Sequence, residues 1–259
     1  MAGTQMGPVV VFGGSGFVGR HVVRRLAKDG FKLRVVMRRP NEALFLKTAG
    51  RTGQIELVQG NIRDEASSRD ALGGASAVIN AVGILYETGP QKFDAVQSAG
   101  AARLATLAAE LGIDRFIHIS AIGADAGSAS AYARSKAEGE ASILGTCPQA
   151  HVLRPSIVVG PEDDFFNRFA RMAQIAPALP LIGGGLTRYQ PVSVFDVAQA
   201  VAACLDGVPP GIYELGGPQV YTFRELMELM LNKIGKRRLL VPLPFAAAGM
   251  LAQFTRFLP

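Results

Sequence analysis

Residues 8–19 read PVVVFGGSGFVG, and the fold follows from how that stretch is taken. Pro8-Val9-Val10-Val11-Phe12 is a continuous apolar run, the pattern of a strand covered on both faces in a parallel sheet. Gly13-Gly14-Ser15-Gly16 follows, and a helical pattern then runs to Asp29, with Gly30 placed to cap it. Strand, glycine turn and helix together are the context that the Gly13-x-x-Gly16-x-x-Gly19 spacing needs in order to hold a dinucleotide. Gly13 and Gly14 permit a tight turn. Gly16 lets backbone approach a pyrophosphate, and Gly19 lets the helix pack on the strand. The helix N-terminus turns N–H groups and the positive end of its dipole toward the anion.

The same rhythm continues outward. Strands are expected at Lys32–Met37, Ile55–Val58, Ala75–Ala81, Arg115–Ser120 and His151–Arg154. Between the fourth and fifth strands, Phe93, Val96, Gly100, Leu104, Leu107 and Leu111 form one apolar helical face. Strands alternating with helices at this spacing predict an α/β fold with a doubly wound parallel sheet. Beyond Pro155 the pieces shorten: FFNRFARMAQ, a Pro/Gly-rich PALPLIGGG, VFDVAQAVAACL, GIYELGG, and a capped amphipathic TFRELMELMLNKIG. They read as too short for a core of their own and as a smaller C-terminal lobe over 156–259. The main domain spans 1–155 and also receives 186–205.

Composition narrows the function. With 49% hydrophobic and 19% charged residues, the chain is globular, not disordered. Its net charge of +6 comes mostly from scattered arginines without a reader motif, so nucleic acid is not an expected partner. Cys147 and Cys204 stand far apart in no metal spacing and read as reduced, structural thiols. No metal site is expected: Glu162-Asp163-Asp164 reads as the negative first turn of a helix, and His21, His118 and His151 are dispersed. The opening MAGTQMGPVVVFGG has no charged n-region or cleavage site, and no 18-residue uninterrupted apolar run occurs, so neither a presequence nor a membrane-spanning helix is expected. The second strand ends in Met37-Arg38-Arg39-Pro40, where an NAD site would carry an acid for the ribose hydroxyl. Arg38 and Arg39 suit a 2′-phosphate instead, which favours NADP(H) over NAD(H). Further on, Tyr132 and Lys136 lie four residues apart on one helix. A lysine ammonium beside a phenol makes it a better acid.

The phosphate loop GGSGFVG, the strand end NAVG, the strand FIHIS and the helix YARSK resemble the atypical or extended branch of the short-chain dehydrogenase/reductase superfamily. A finer resemblance covers almost the whole chain through VVFGGSGFVGRHVVRRLA, NAVGILYE, RFIHISAIGAD, YARSKAEGE, LRPSIVVGPEDDFFNRFA, QPVSVFDVAQAV and VPLPF. It points to the nucleotide-binding accessory subunits of respiratory complex I and their bacterial relatives. The resemblance implies a Rossmann-like domain that holds NADPH as a structural element of the peripheral arm. Gly13, Ser15, Gly16, Phe17 and Val18 would then hold the pyrophosphate and Arg38 the adenosine phosphate. Asn61 and Ile62 would flank the adenine, and Ala81, Val82 and Gly83 the ribose. Lys136 would bridge the nicotinamide ribose hydroxyls, with Ser120 near it and Pro155 and Ser156 under the nicotinamide.

In working members of the superfamily a tyrosine, a lysine and a serine or threonine act together. Tyr132, Lys136 and Ser120 are the catalytic candidates. Yet Ile122 stands where the serine or threonine is expected, and Ser120 lies only 12 residues before Tyr132. The expectation is therefore a catalytically weak accessory or assembly subunit in a bacterial cytoplasm, peripheral on the inner membrane and in contact with complex I peripheral-arm subunits. The alternatives are a free-standing NAD(P)-dependent reductase or epimerase on a hydrophobic or quinone-related substrate, and a nucleotide or redox sensor. After Lys236-Arg237-Arg238, Phe245, Met250, Leu251, Phe254, Phe257 and Leu258 recur at helical spacing. They predict an apolar helix over the end of the chain that docks on the lobe, a partner or a membrane surface through 236–259. Chains of the resembled group run on with a polar tail beyond this point.

Overall fold

The computed structural model describes residues 7–244. Contacts divide the chain into two compact units, one running to Pro155 and including Val194–Leu215, the other made of Ser156–Ser193 and the residues from Gly216 on. The first unit begins with β1 (Val9–Phe12), α1 (Phe17–Lys28), β2 (Leu33–Met37), β3 (Ile55–Gln59), α2 (Glu65–Leu72), β4 (Ala77–Asn80), α3 (Ala99–Glu110), β5 (Phe116–Ile119), α4 (Ala131–Thr146) and β6 (His151–Pro155). The second contributes β7 (Val158–Val159), α5 (Phe166–Ile175), β8 (Ala178–Ile182), β9 (Arg188–Tyr189) and β10 (Val192–Ser193). The chain then returns to the first unit with α6 (Val194–Leu205) and β11 (Gly211–Leu215), and β12 (Tyr221–Thr222), α7 (Phe223–Lys233) and β13 (Leu239–Leu243) complete the second.

Seven parallel strands form the sheet of the first unit in the order β11-β6-β5-β4-β1-β2-β3. This is a Rossmann-like α/β fold. Every residue of β1 is at most 2% exposed. Val9 and Val11 pack with Val22, Val23 and Leu26 of α1, while Val10 and Phe12 join Leu104 of α3 and Ile143 of α4 on the other face. Full burial of such a side chain is worth about 1.5–3 kcal/mol before entropy, which explains why the apolar run is unbroken. Strand order reverses between β1 and β4, whose ends pair Phe12 with Asn80. That reversal opens a crevice at the carboxyl ends of the strands.

Two readings shift. GIYEL is a strand of the large sheet, and the returning segment is 194–215, not 186–205. Without β11, β6 would be an edge with a row of unpaired backbone groups. Gly211–Leu215 pairs with it over five residues, and Val201 and Leu205 of α6 share the core of Val22 and Leu26. The 93–111 helix opens with a π-turn at Asp94–Ser98. Such a turn rotates the following face, so Gln97 and Ala101 are buried alongside Leu104 and Leu107, whereas Leu111 is 40% exposed.

The second unit has a core of its own, contrary to what its short pieces suggest. Leu179, Leu181, Phe223, Leu226, Met227 and Met230 are buried together, with Phe165, Phe166, Phe169 and Tyr189 packed against them. Edge-on ring contacts, such as Phe169–Phe223 at 5.4 Å, tie it together. Aromatic side chains bury enough area each to compensate for few residues. The expected cap is present: Thr222 Oγ1 accepts from Glu225 N–H at 3.2 Å, and Glu225 Oε2 accepts from Thr222 N–H at 2.6 Å. Asp163 is buried and accepts from the N–H groups of Gly160, Phe166 and Asn167, which makes it the N-terminal anchor of α5. Leu239–Leu243 is a strand paired with β8, not the start of a helix. The expected apolar helix from Phe245 to Leu258 lies outside the described residues.

The tightest constraint falls where β1 turns into α1. Gly13 has φ +77°, and a Cβ on Gly19 would lie 2.2 Å from the Gly13 carbonyl oxygen and 2.7 Å from Gly14 Cα. Gly19→Ala is therefore expected to destabilise the protein by about 2 kcal/mol, as overpacking does. The effect would be read as a lower urea midpoint at unchanged slope. An unchanged midpoint would mean that the helix can stand off the turn without loss.

Candidate functional site

The crevice beside the glycine turn is a cleft of about 210 Å³, room for part of an extended ligand rather than all of it. Its walls include Gly13, Ser15, Gly16, Arg38, Asn61, Ile62, Ala81, Val82 and Gly83, all expected from the sequence, and also Phe12, Val36, Met37, Gly60, Ile84 and Gln91. Gly16 precedes α1 without a side-chain cap, so the helix presents its first-turn N–H groups as an anion site. Arg20 braces the turn, donating to the carbonyls of Ser15 at 2.9 Å and Gly16 at 3.2 Å while its guanidinium lies over the Phe45 ring. The sequence reading passed over Arg20, although it sits one turn into the helix.

Other expected residues lie elsewhere. Phe17 and Val18 open α1 behind the turn and do not line the cleft. Arg39 is also outside the lining and pairs with Glu42 at 3.0 Å, because neighbours along an extended chain point to opposite sides. Pro155 ends β6, where its carbonyl accepts from Ile122 N–H at 3.0 Å. Ser156 begins the second unit.

Beyond Gly83 lies a buried polar cluster. Lys136 is 4% exposed and donates to the Ile119 carbonyl at 3.2 Å. A Cβ on Gly83 would come within 3.4 Å of its Nζ, so the lysine borders the cleft beside Gly83. Burial pushes the Lys136 pKa down to about 8, against the pull of the Glu140 carboxylate. Glu140 is itself 3% exposed. Arg154 grips it through Nε, at 3.0 and 3.1 Å from the two oxygens, and through Nη2 at 2.5 Å. Ser120 Oγ donates to the same carboxylate.

The Tyr-x-x-x-Lys pair does not behave as its spacing predicts. Tyr132 is half-buried, edge-on to Phe93 at 5.8 Å, and burial raises its pKa instead of making the phenol more acidic. The lysine donates to the Ile119 carbonyl, with the Glu140 carboxylate acting on it through its charge. Ser120 is bound to Glu140 and does not line the cleft. Gln97, another residue missed by sequence reading, donates to Ser135 Oγ at 3.0 Å and accepts from Ile84 N–H at 3.4 Å, joining α4 to the cleft wall. His118 is 1% exposed, with both ring nitrogens unpartnered among the described residues. Burial, helped by the Lys136 charge, holds its pKa well below the usual value, so it is neutral. Cys147 and Cys204 are free, buried thiols with raised pKa values, unsuited to reactivity.

A sequence profile described as the NAD dependent epimerase/dehydratase family matches residues 9–216. Among curated proteins, the chain is 40% identical to NADH dehydrogenase (ubiquinone) 1 alpha subcomplex subunit 9, mitochondrial, of Arabidopsis thaliana, over 93% of this chain and 61% of that protein. It is 31% identical to a ceramide reductase of Caulobacter vibrioides, over 94% of this chain and 76% of that protein. Thus the chain spans about three fifths of the length of the complex-subunit relative. Among solved structures it superposes on the Bordetella bronchiseptica enzyme WbmH in complex with NAD+, with a TM-score of 0.76, 19% identity, and coverage of 92% of this chain and 86% of that one.

The depressed Lys136 pKa has a consequence for stability. Between about 8 and the ordinary value of 10.5 the unfolded chain holds this proton and the folded one does not. The unfolded state binding more protons means that the Lys136 contribution to stability rises with pH across that window. Urea unfolding of the ligand-free protein and of Lys136→Met, from pH 7.5 to 10, should show this rise in the former relative to the latter. Parallel pH profiles would contradict a buried, partly neutralised amine.

Proposed function

Because the chain belongs to the NAD dependent epimerase/dehydratase family, we propose that it works as an NAD(P)-binding accessory or assembly subunit of respiratory complex I, in which the dinucleotide is held more than it is turned over. The observation that carries this reading is the split between the two halves of the site. The cleft keeps the glycine turn, Asn61, Ile62 and the 81–83 wall, with Lys136 at its inner end. The proton-handling groups are diverted, Ser120 onto Glu140 and Tyr132 into a setting that opposes ionisation. The 40% identity to a complex I subunit over nearly the whole chain supports the partner. A peripheral place at the cytoplasmic face of a bacterial inner membrane goes with that partner, and no helix among the described residues is long and apolar enough to cross a membrane.

If dinucleotide is bound, Gly13, Ser15 and Gly16 hold its pyrophosphate with the first turn of α1, where Phe17 and Val18 supply backbone N–H groups. Arg38 meets the adenosine phosphate, Lys136 the second ribose, and Pro155 the nicotinamide end. NADP(H) is favoured over NAD(H) because a guanidinium, not a carboxylate, stands after β2. The bound group would supply hydride chemistry. The residues of this chain orient it and do little to move protons. A second reading, a reductase acting on a hydrophobic substrate, is favoured by the likeness to a ceramide reductase over most of both chains.

Native purification with identification of bound nucleotide and partners tests the two readings. Co-migration with complex I subunits and retention of NADPH support the first. Substrate-dependent NADPH oxidation that Tyr132→Phe abolishes establishes the second. On cofactor choice, NADPH should bind at least about tenfold tighter than NADH, equivalent to about 1.4 kcal/mol. Arg38→Ala should remove most of that preference, and Arg39→Ala should leave it intact because Arg39 is paired outside the cleft. Equal affinities in the unmodified protein would rule out the 2′-phosphate assignment.

A further inference from the structure

The segment between β4 and the π-turn borders the cleft and folds into a short strap. Thr88 and Gln91 exchange backbone hydrogen bonds at 3.1 and 2.8 Å. Glu87 fastens its two ends together, accepting from Phe93 N–H at 2.9 Å and pairing with Lys92 at 3.4 Å. Ala81 to Ile84 line the cleft at the start of this segment, and Gln91 lines it again near its end, as does Arg38 after β2. With its amide turned so that both ends are satisfied, the Gln91 oxygen accepts from Arg38 Nη1 at 2.9 Å and from Arg63 Nη2 at 3.2 Å. Arg63 also donates to the Pro90 carbonyl at 3.2 Å, and its Nε is buried without a partner among the described residues.

Two guanidinium groups, one following β2 and one following β3, thus converge on a single neutral oxygen at the edge of the cleft. Like charges that close repel, and one amide oxygen does not neutralise them. A doubly charged oxyanion beside the pair would, and each guanidinium has further N–H donors to offer it. We propose that Gln91 is a specificity-determining positioning residue, holding Arg38 and Arg63 as a two-guanidinium clamp for the 2′-phosphate of NADP. This deepens the cofactor reading above and rests on it. Arg38 alone would be a flexible, exposed side chain. Tied to the strap, it is oriented before ligand arrives, and less side-chain freedom is lost on binding. Arg63 serves both to anchor the strap and as the second cation.

The test compares dinucleotide affinities of the full chain and two variants by calorimetric titration with NADPH and NADH, and with adenosine 2′,5′-bisphosphate against adenosine 5′-monophosphate. Gln91→Glu puts a carboxylate between the guanidinium groups, neutralising them and repelling phosphate. It should weaken NADPH and the bisphosphate by about tenfold or more, with NADH and the monophosphate unchanged within about twofold. Gln91→Leu keeps bulk but removes the acceptor, and should lower the same two affinities by about threefold to tenfold, again sparing NADH. Arg63→Ala should follow Gln91→Leu. Equal losses for NADPH and NADH in both Gln91 variants, or no loss in either, would overturn the clamp and leave the cofactor reading standing. An unmodified protein that binds NADH as tightly as NADPH would overturn both.

Discussion

Glu140 is a carboxylate at 3% exposure, and a charge that far from water is tolerated only when it is paired and fully hydrogen-bonded. Meeting that demand arranges everything around it. Arg154 is drawn in from β6 as a fork, Ser120 turns its hydroxyl inward from the end of β5, and Lys136 is held one turn away on the same helix. Removing either partner would strand a buried charge, so the arrangement is stiff. Stiffness is useful for gripping a ligand and unhelpful for relaying protons. The same carboxylate that raises the Lys136 pKa against burial also holds the Ser120 hydroxyl.

The second fixed point is the turn from β1 into α1. Backbone meets backbone there on two sides: Gly13 faces Ala81, where a Cβ would fall 2.8 Å from the carbonyl, and Gly19 faces Gly13. Close approach of β1, β4 and α1 narrows the crevice. Arg20 then covers the turn's carbonyl oxygens with positive charge, offsetting groups that would otherwise repel a pyrophosphate.

Features that depend on neighbours in sequence were the readable ones. The apolar run of Val9–Phe12, the glycines at 13, 16 and 19 and the Thr222–Glu225 cap are local patterns with local causes, whereas Glu162-Asp163-Asp164 precede α5 instead of forming its first turn. Most of the cleft wall, including Asn61, Ile62 and Ala81 to Gly83, came from the family resemblance and not from spacing or pattern. Glu140 was within reach, one helical turn after Lys136, and so was Arg154 beside Pro155. The spacing of Tyr132 and Lys136 was visible, but their electrostatics were not, since burial decides those and depends on what packs above. Gln91, Arg63 and Gln97 could not have been read at all, because their partners come from segments distant in sequence: Arg38 and Arg63 for Gln91, and Ser135 for Gln97. The aromatic core of the second unit was missed because its phenylalanines come from separate short segments.

The return of α6 and β11 to the first sheet also bears on how the chain is made. A polypeptide emerging from the ribosome completes β1 to β6 early, yet the face of α1 that packs with Val201 and Leu205 and the open edge of β6 wait for residues 194–215. During that interval the nascent sheet exposes apolar surface and an unpaired strand, the usual route to misassembly in larger folds. The stretch from Ser156 to Ser193 must be synthesised before the sheet can close. The order of synthesis therefore leaves β6 unpaired and the α6-facing surface of α1 uncovered until residues 194–215 are made.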